Sequence, residues 1–283
     1  MSQKSYRSDV NKLYLIPTPI GNMEDITLRA IKTLEMVDIL LCEDTRVSEQ
    51  LLRSLNIKKK LISCHDHNEE NIKKLVIQYL NEGKNIGLVT DRGTPIISDP
   101  GYKIVEEVIK NGYGVIGLPG PTALIPALIM SGVNPSPFLF YGFLNAKVGK
   151  REKELESFKR YSYTLIFYEA PHRIIDTLDS ILKILGNRKI ALCREISKIY
   201  EEVYRGTILE VKNEIDTGIK GEIVLIVEGN TNQEDFSSLT LAEHVKLYID
   251  SADGISEMDA IKLVSKERNI PKAIVYKEYH MGK

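Results

Sequence analysis

The chain has 283 residues, 43% of them hydrophobic, and its 38 Lys and Arg against 39 Asp and Glu give a formal net charge of −1. That length and apolar content support one large or two ordinary folded domains and exclude a disordered or fibrous chain. The balanced charge removes any global pull toward a polyanion, so contact with nucleic acid would need a local basic patch.

Short apolar runs at 13–16, 39–42, 61–64, 86–89 and 115–117 alternate with amphipathic stretches at 27–37, 47–55, 72–80, 102–110 and 123–130. This alternation predicts an α/β domain over 12–132 with a mostly parallel, doubly wound sheet. Past Gly132 the runs 138–143, 163–168, 190–193, 200–207 and 222–227 have fewer helical stretches between them, which predicts a second α/β domain over 133–229 with a mixed sheet. The polar segment 228–238 reads as a linker. Beyond it, 241–249, 257–267 and 272–279 predict helices, the second capped by Ser256 and the third opened after Pro271. This helical region, 239–283, is expected to be too small for a core of its own and to dock elsewhere.

Three proline- and glycine-rich loops follow strands of the first domain. They are Pro17-Thr-Pro-Ile-Gly-Asn22, Asp91-Arg-Gly-Thr-Pro95 continuing to Ser98-Asp-Pro-Gly101, and Leu118-Pro-Gly-Pro-Thr-Ala123. Open α/β sheets bind ligands at such strand-to-helix turns. Proline fixes φ and removes an N–H donor, while glycine lets backbone approach a ligand. Neither G-x-G-x-x-G nor G-x-x-x-x-G-K-[ST] occurs, and few donors remain for a polyphosphate. The residues leave two readings open: a rigid cradle rich in carbonyl groups for a small cationic or zwitterionic cofactor, or a purely structural role. Cys42, Cys64 and Cys193 are widely spaced in apolar runs and predict buried thiols in a reducing compartment. No apolar run is long enough to span a bilayer and the first eleven residues are polar, so a cytoplasmic protein without membrane contact is expected.

An ordered series of motifs carries a resemblance. It runs Leu13-Tyr-Leu-Ile-Pro-Thr-Pro-Ile-Gly-Asn-Met-Glu-Asp-Ile-Thr-Leu-Arg-Ala30, Glu43-Asp-Thr-Arg46, Ser63-Cys-His-Asp-His-Asn-Glu69, the second and third loops, Phe143-Leu-Asn-Ala-Lys147, Phe167-Tyr-Glu-Ala-Pro-His-Arg173, Arg194-Glu195, Glu201-Glu202, Arg205-Gly206 and Lys220-Gly-Glu222. From about residue 12 to the C-terminus the chain resembles the ribosomal RNA small-subunit methyltransferase I family of the tetrapyrrole methylase superfamily. The resemblance implies two α/β domains with a cofactor cleft between them, S-adenosylmethionine (AdoMet) as cofactor, and homodimers. The implied reaction is methylation of the 2′-hydroxyl of a cytidine in the decoding region of 16S rRNA, within the small ribosomal subunit. Relatives acting on tetrapyrroles or the diphthamide precursor typically carry a glycine-rich first loop, absent here; a small-molecule methyltransferase is the runner-up, and a non-catalytic ribosome-binding factor that retains AdoMet is a third reading.

Carried over by position, the resemblance places AdoMet against Pro17, Ile20, Asp91, Gly93, Thr94, Pro95, Gly120, Pro121, Thr122 and Ala123, with Tyr168, Glu169 and Gly221 on the far side. Two departures stand out: Arg92 replaces an alanine common in the second loop, and Asn145 a common proline. Arg92 can meet a cofactor carboxylate or RNA phosphate, with solvent or a dimer contact slightly favoured. Candidate general bases are Glu195 and Glu222, for which ion pairs with Arg194 and Lys220 are the structural alternative, with Glu201 and the histidines as further candidates. Arg46, His65, Lys147, Arg151, Arg173 and Arg194 are candidate RNA contacts. For Glu43-Asp-Thr-Arg46, helix capping by Asp44 or Thr45 weighs equally with a substrate-side role. His65 and His67 flank Asp66 and would face one way if the strand continued, but a metal site would need a third ligand and none is assigned.

Overall fold

A computed structural model describes residues 3, 11–65, 67–216, 218–231, 239–250 and 255–281. It contains two compact units, Met1–Asn230 and Thr231–Lys283. The first opens with β1 (Lys12–Leu15), α1 (Leu28–Met36), β2 (Ile39–Cys42), α2 (Thr45–Ser54), β3 (Lys60–Ser63), α3 (Glu69–Asn81), β4 (Ile86–Leu88), α4 (Tyr102–Lys110), β5 (Gly114–Gly117) and α5 (Leu124–Met130). The strands form a parallel sheet in the order β3-β2-β4-β1-β5. In β2 every residue is buried: Ile39 and Leu41 pack with Val76, Leu80, Ile104 and Val108, and Leu40 and Cys42 with Ala30, Leu34 and Leu52. Helices on both faces explain why this strand reads as a continuous apolar run.

Strand order positions the site. The three proline- and glycine-rich loops follow β1, β4 and β5, and β4-β1-β5 are neighbours. Loops separated by about a hundred residues in sequence therefore emerge side by side at the carboxyl edge of one sheet.

The second half of this unit contains β6 (Phe138–Phe143), α6 (Val148–Phe158), β7 (Thr164–Glu169), α7 (Ile174–Leu185), β8 (Lys189–Arg194), β9 (Glu202–Thr207), α8 (Ile208–Glu214) and β10 (Ile223–Val227), with sheet order β6-β7-β10-β8-β9. The sheet is mixed, as expected, but not for want of helices: α6, α7 and α8 intervene, and only β8 and β9 are joined without one. It is mixed because β10 inserts antiparallel between β7 and β8. Ile223, which opens β10, pairs with Glu169 and Arg194, which close β7 and β8, so three strand ends meet at one edge. Leu165 and Phe167 pack with Leu155, Leu178, Ile181 and Val211, while Ile166 faces Ala127 and Leu128 of α5 and Ile20 of the first loop. Through α5 and Ile20 the two sheets share a core.

In the second unit α9 (Leu241–Ile249), α10 (Glu257–Glu267) and α11 (Lys272–Met281) contribute Leu241, Val245, Ala260, Ile261, Val264, Val275 and Tyr279 to one buried cluster. This corrects the expectation that the region lacks a core: each helix supplies an apolar face to the other two. Ser256 caps α10, its hydroxyl accepting from the Asp259 N–H. Of the expected linker, 232–238 lie outside the described residues.

Candidate active site

The three loops are tied to one another by backbone hydrogen bonds and by threonine hydroxyls donating to carbonyls. Thr18 and Gly93 exchange two hydrogen bonds, at 2.9 and 3.0 Å, which joins the first loop to the second. The Thr18 hydroxyl donates to the Thr90 carbonyl at 3.1 Å. The Thr94 hydroxyl donates to the Pro121 carbonyl at 3.0 Å, joining the second loop to the third. Gly120 lies against Pro17 so closely that a Cβ there would stand 2.7 Å from the proline Cβ, which is why the third loop needs glycine at this point. Gly93 has φ +85° and faces Ile20, a conformation that side chains with a Cβ rarely adopt.

The second loop continues under strain. Ile96 at φ +77° and Ser98 at φ +66° occupy left-handed backbone, which is uncommon for a β-branched residue and concentrates at functional sites. Ser98 meets the second sheet where β6 bulges at Gly142. The helix after this loop, α4, has no cap of its own; the buried Glu69 carboxylate of α3 accepts from the Gly101 and Lys103 N–H groups, each at 3.0 Å. The loop is thereby fixed at both ends.

Between the two sheet edges lies a cavity of about 690 Å³, within the size range of small-ligand sites. From the first sheet it is lined by Ile20, Glu43, Thr90 to Thr94, Ile97 to Asp99, Thr122 and Ala123; from the second by Phe143, Tyr168 to Pro171, Ile196 and Glu222 to Val224. Its charged lining groups are the carboxylates of Glu43, Asp91, Asp99, Glu169 and Glu222 and the guanidinium of Arg92. That excess of anions suits a ligand with a positive centre. The Asp91 carboxylate also accepts from the Asp44 N–H at 3.1 Å, anchoring the turn after β2 to the second loop. Burial raises the Tyr168 phenol above its ordinary pKa.

Of the sequence-predicted cofactor contacts, Ile20, Asp91, Gly93, Thr94, Thr122, Ala123, Tyr168 and Glu169 line this cavity. Pro17, Pro95, Gly120, Pro121 and Gly221 do not. Gly221, at φ +95°, packs directly on the Glu195 side chain. The Glu169 carboxylate is buried and engaged, accepting from Arg173 Nε, from the Thr177 hydroxyl at 2.6 Å and from the Ala170 N–H at 2.7 Å. The sequence reading missed Glu43, Val47, Gln50, Ile97, Asp99, Phe143 and Ile196 as lining. Glu43 and Phe143 each end or follow a strand inside a quoted motif; that signal was present, but which strand edges face each other was not.

The two candidate bases share one lysine. Lys198 Nζ donates to Glu195 Oε1 at 2.8 Å and to Glu222 Oε2 at 2.9 Å, and Arg92 Nη1 donates to Glu222 Oε1 at 2.7 Å. The expected partners differ: Arg194 pairs instead with Glu202 at 2.8 Å and donates to the Lys220 carbonyl. Arg92 spans the cleft to the other sheet while its side chain stays half-exposed to solvent. The Lys198 hydrogen bond holds the Glu195 carboxyl below the usual glutamate range.

The candidate RNA contacts separate by burial. Arg151 is 1% exposed, with Nε donating to the Ser180 hydroxyl at 2.9 Å and Nη2 to the Asp176 carbonyl at 3.1 Å. It is a structural residue of α6, and its assignment as an RNA contact is corrected. A basic residue amid alternating charges gives no hint that its stem turns inward. Arg173 is committed to Glu169 and Arg194 to Glu202. Arg46, His65 and Lys147 are exposed. Asp44 does cap α2, accepting from the Arg46 N–H at 2.8 Å, and hydrogen bonds from Arg46 lower its carboxyl to about 2. The strand before His65 stops at Ser63 rather than continuing, and Asp66 lies outside the described residues. Among the described residues, no three His, Cys, Asp or Glu side chains are grouped to hold a metal ion. Cys42, Cys64 and Cys193 are all buried and outside any disulfide, and burial pushes the Cys193 thiol up to about 11.

Residues 12–212 match the family model of tetrapyrrole (corrin/porphyrin) methylases. The chain is 48% identical to the ribosomal RNA small subunit methyltransferase I of Bacillus subtilis over 97% of its own length and 96% of the relative's. The protein of the same name from Halalkalibacterium halodurans is 47% identical, covering 99% of both chains. Among solved structures, the fold is similar to uroporphyrin-III-C-methyltransferase from Thermus thermophilus (TM-score 0.54, 19% identity, 77% of this chain and 92% of that one) and to a diphthine synthase (TM-score 0.57, 12% identity, 77% and 90%).

Proposed function

This chain belongs to the ribosomal RNA small subunit methyltransferase I family of the tetrapyrrole methylases, and from that premise we propose that it methylates the 2′-hydroxyl of a cytidine in the decoding region of 16S rRNA. It is an AdoMet-dependent methyltransferase of ribosomal RNA. The observation that carries the cofactor assignment is the convergence of three cross-tied, donor-poor loops on an acid-rich cavity. When bound, AdoMet supplies a methyl group on a cationic sulfur, a centre that carbonyls and carboxylates stabilise.

Ile20, Asp91, Gly93, Thr94, Thr122, Ala123 and Tyr168 are the proposed cofactor contacts, with Glu169 contributing backbone because its carboxylate is engaged. Pro17, Pro95, Gly120, Pro121 and Gly221 shape those loops from behind. Rigid placement of donor and acceptor supplies most of the acceleration in this reading, and a general base adds roughly 10²–10⁴-fold. Glu222 lines the cavity and Glu195 does not, so Glu222 is the better placed of the two to take the hydroxyl proton, and Glu195 holds Lys198.

Arg46 and Lys147 follow the lining residues Glu43 and Phe143 and are the proposed RNA contacts at the rim, with His65 beyond. A homodimer is proposed on the exposed apolar side chains Ile125 and Ile129 of α5 and Ile199 and Tyr200 after β8; sedimentation of the pure protein as a monomer would remove it. No helix among the described residues is long and apolar enough to cross a membrane, and buried cysteines held outside disulfides favour a cytoplasmic location.

Labelled AdoMet, incubated with the protein and either small ribosomal subunits or a tetrapyrrole precursor, tests the assignment. Label recovered in 2′-O-methylcytidine after nuclease digestion supports it. A labelled base would overturn the 2′-hydroxyl acceptor, label in the pigment would favour the small-molecule reading, and label in neither would leave a binding factor.

A further inference from the structure

Arg92 stands where two cavities meet. It lines the proposed cofactor cavity and a second one of about 400 Å³ bounded by Thr18, Gly21, Met23, Gln50 and Ser54. Its backbone is fixed on both sides, by Asp91 accepting from the Asp44 N–H and by Gly93 paired to Thr18. Its side chain is half-exposed and holds Glu222 through Nη1 alone; Nε and Nη2 make no hydrogen bond among the described residues.

The partner is arranged so that Arg92 can leave it. Glu222 is 64% exposed and keeps Lys198 on its other oxygen at 2.9 Å, so departure of Arg92 strands no buried charge. An exposed one-point ion pair is weak, whereas a guanidinium fork on a phosphate is among the stronger polar contacts. Among the described residues Arg92 is also the one cation in the lining of the larger cavity, whose other charged groups are carboxylates. A polyanion laid over this mouth meets repulsion from the acids and attraction at Arg92.

We infer that Arg92 anchors a backbone phosphate of the acceptor RNA, and that Glu222 holds the guanidinium in place until the phosphate displaces it. The inference rests on the reading of RNA as acceptor. It makes Arg92 a residue that tunes RNA affinity rather than the chemistry. The contact forms at the rim, beside the methyl-transfer cavity, and therefore fixes where along the strand the reacting ribose lies.

The test uses the full-length protein with small ribosomal subunits, measuring their Kd by filter binding across about 50 to 200 mM salt. Wild type, Arg92→Ala, Arg92→Lys and Glu222→Gln are compared, with the AdoMet Kd of each read by calorimetry. Arg92→Ala should weaken subunit binding about tenfold and flatten the salt dependence by about one phosphate contact, a slope change of roughly 0.7–0.9. Arg92→Lys should recover the slope but only part of the affinity, because a lysine cannot fork a phosphate. Glu222→Gln should bind subunits as tightly or more tightly, since the anion competing for Arg92 is gone. An unchanged salt slope in Arg92→Ala overturns the inference. So does a loss confined to AdoMet affinity, which would make Arg92 a cofactor contact. Wild-type enzyme that labels subunits while Arg92→Ala keeps its slope defeats this inference alone; wild-type enzyme that labels no RNA defeats the acceptor reading as well.

Discussion

The two banks of the cleft are built by different physics. On the first sheet, loops after adjacent parallel strands are held by backbone hydrogen bonds and uncharged threonine hydroxyls, with glycines where a side chain would collide and prolines that fix φ. On the second, the lining is held by side-chain ion pairs: Glu169 with Arg173, and Glu195 and Glu222 with Lys198. Backbone ties have one geometry and little response to salt or pH. Ion pairs at a solvent edge exchange partners cheaply. A rigid bank suits a cofactor that is the same at every turnover, and an adaptable one suits a macromolecular acceptor.

The contrast can be broken first at Glu169, where the second bank stops being adaptable. Its carboxylate is buried, so Glu169→Gln should destabilise the protein by about 3–5 kcal/mol, as removal of one partner from a buried pair does. Thermal unfolding followed by circular dichroism checks this, and a loss below about 1 kcal/mol would place Glu169 with the exposed pairs. Next comes Gly120→Ala, which forces a Cβ against Pro17 at a cost of about 1–3 kcal/mol, expected mainly as weaker AdoMet binding. Wild-type affinity in that variant would mean the first bank yields as readily as the second. Glu195→Gln should lower kcat less than about tenfold, since a base is worth more than that; a larger fall at intact AdoMet affinity would restore Glu195 as the base. The smallest effect is at Asp44. Its folded pKa of about 2 lies below the ordinary 3.8, so its contribution to α2 is present above pH ~4 and is lost as pH falls toward 2. Asp44→Asn, which still caps but does not titrate, should show a shallower acid transition by circular dichroism over that interval.

The same contrast explains what the sequence disclosed. Backbone-built features leave composition marks, so the proline and glycine clusters identified the first bank and the apolar alternation identified its strands. Strand order leaves no such mark: that β10 inserts between β7 and β8 depends on contacts distant in sequence, so Ile196 and Phe143 were not foreseen as lining. Side-chain partners were equally hidden. Arg151 stands among alternating charges yet turns into α7, and Lys198, the shared partner of two candidate bases, was not singled out at all. The C-terminal helices showed their periodicity, but a core made by pooling three small faces is visible only once they pack.

The central claim, that the cross-tied loops of the first sheet hold the cofactor, is most directly tested by calorimetric titration of AdoMet into wild type and Gly93→Val. The account predicts one site per chain in wild type. A β-branched residue at φ +85° against Ile20 should weaken that site at least about tenfold. No binding by wild type, or equal binding by Gly93→Val, would contradict it.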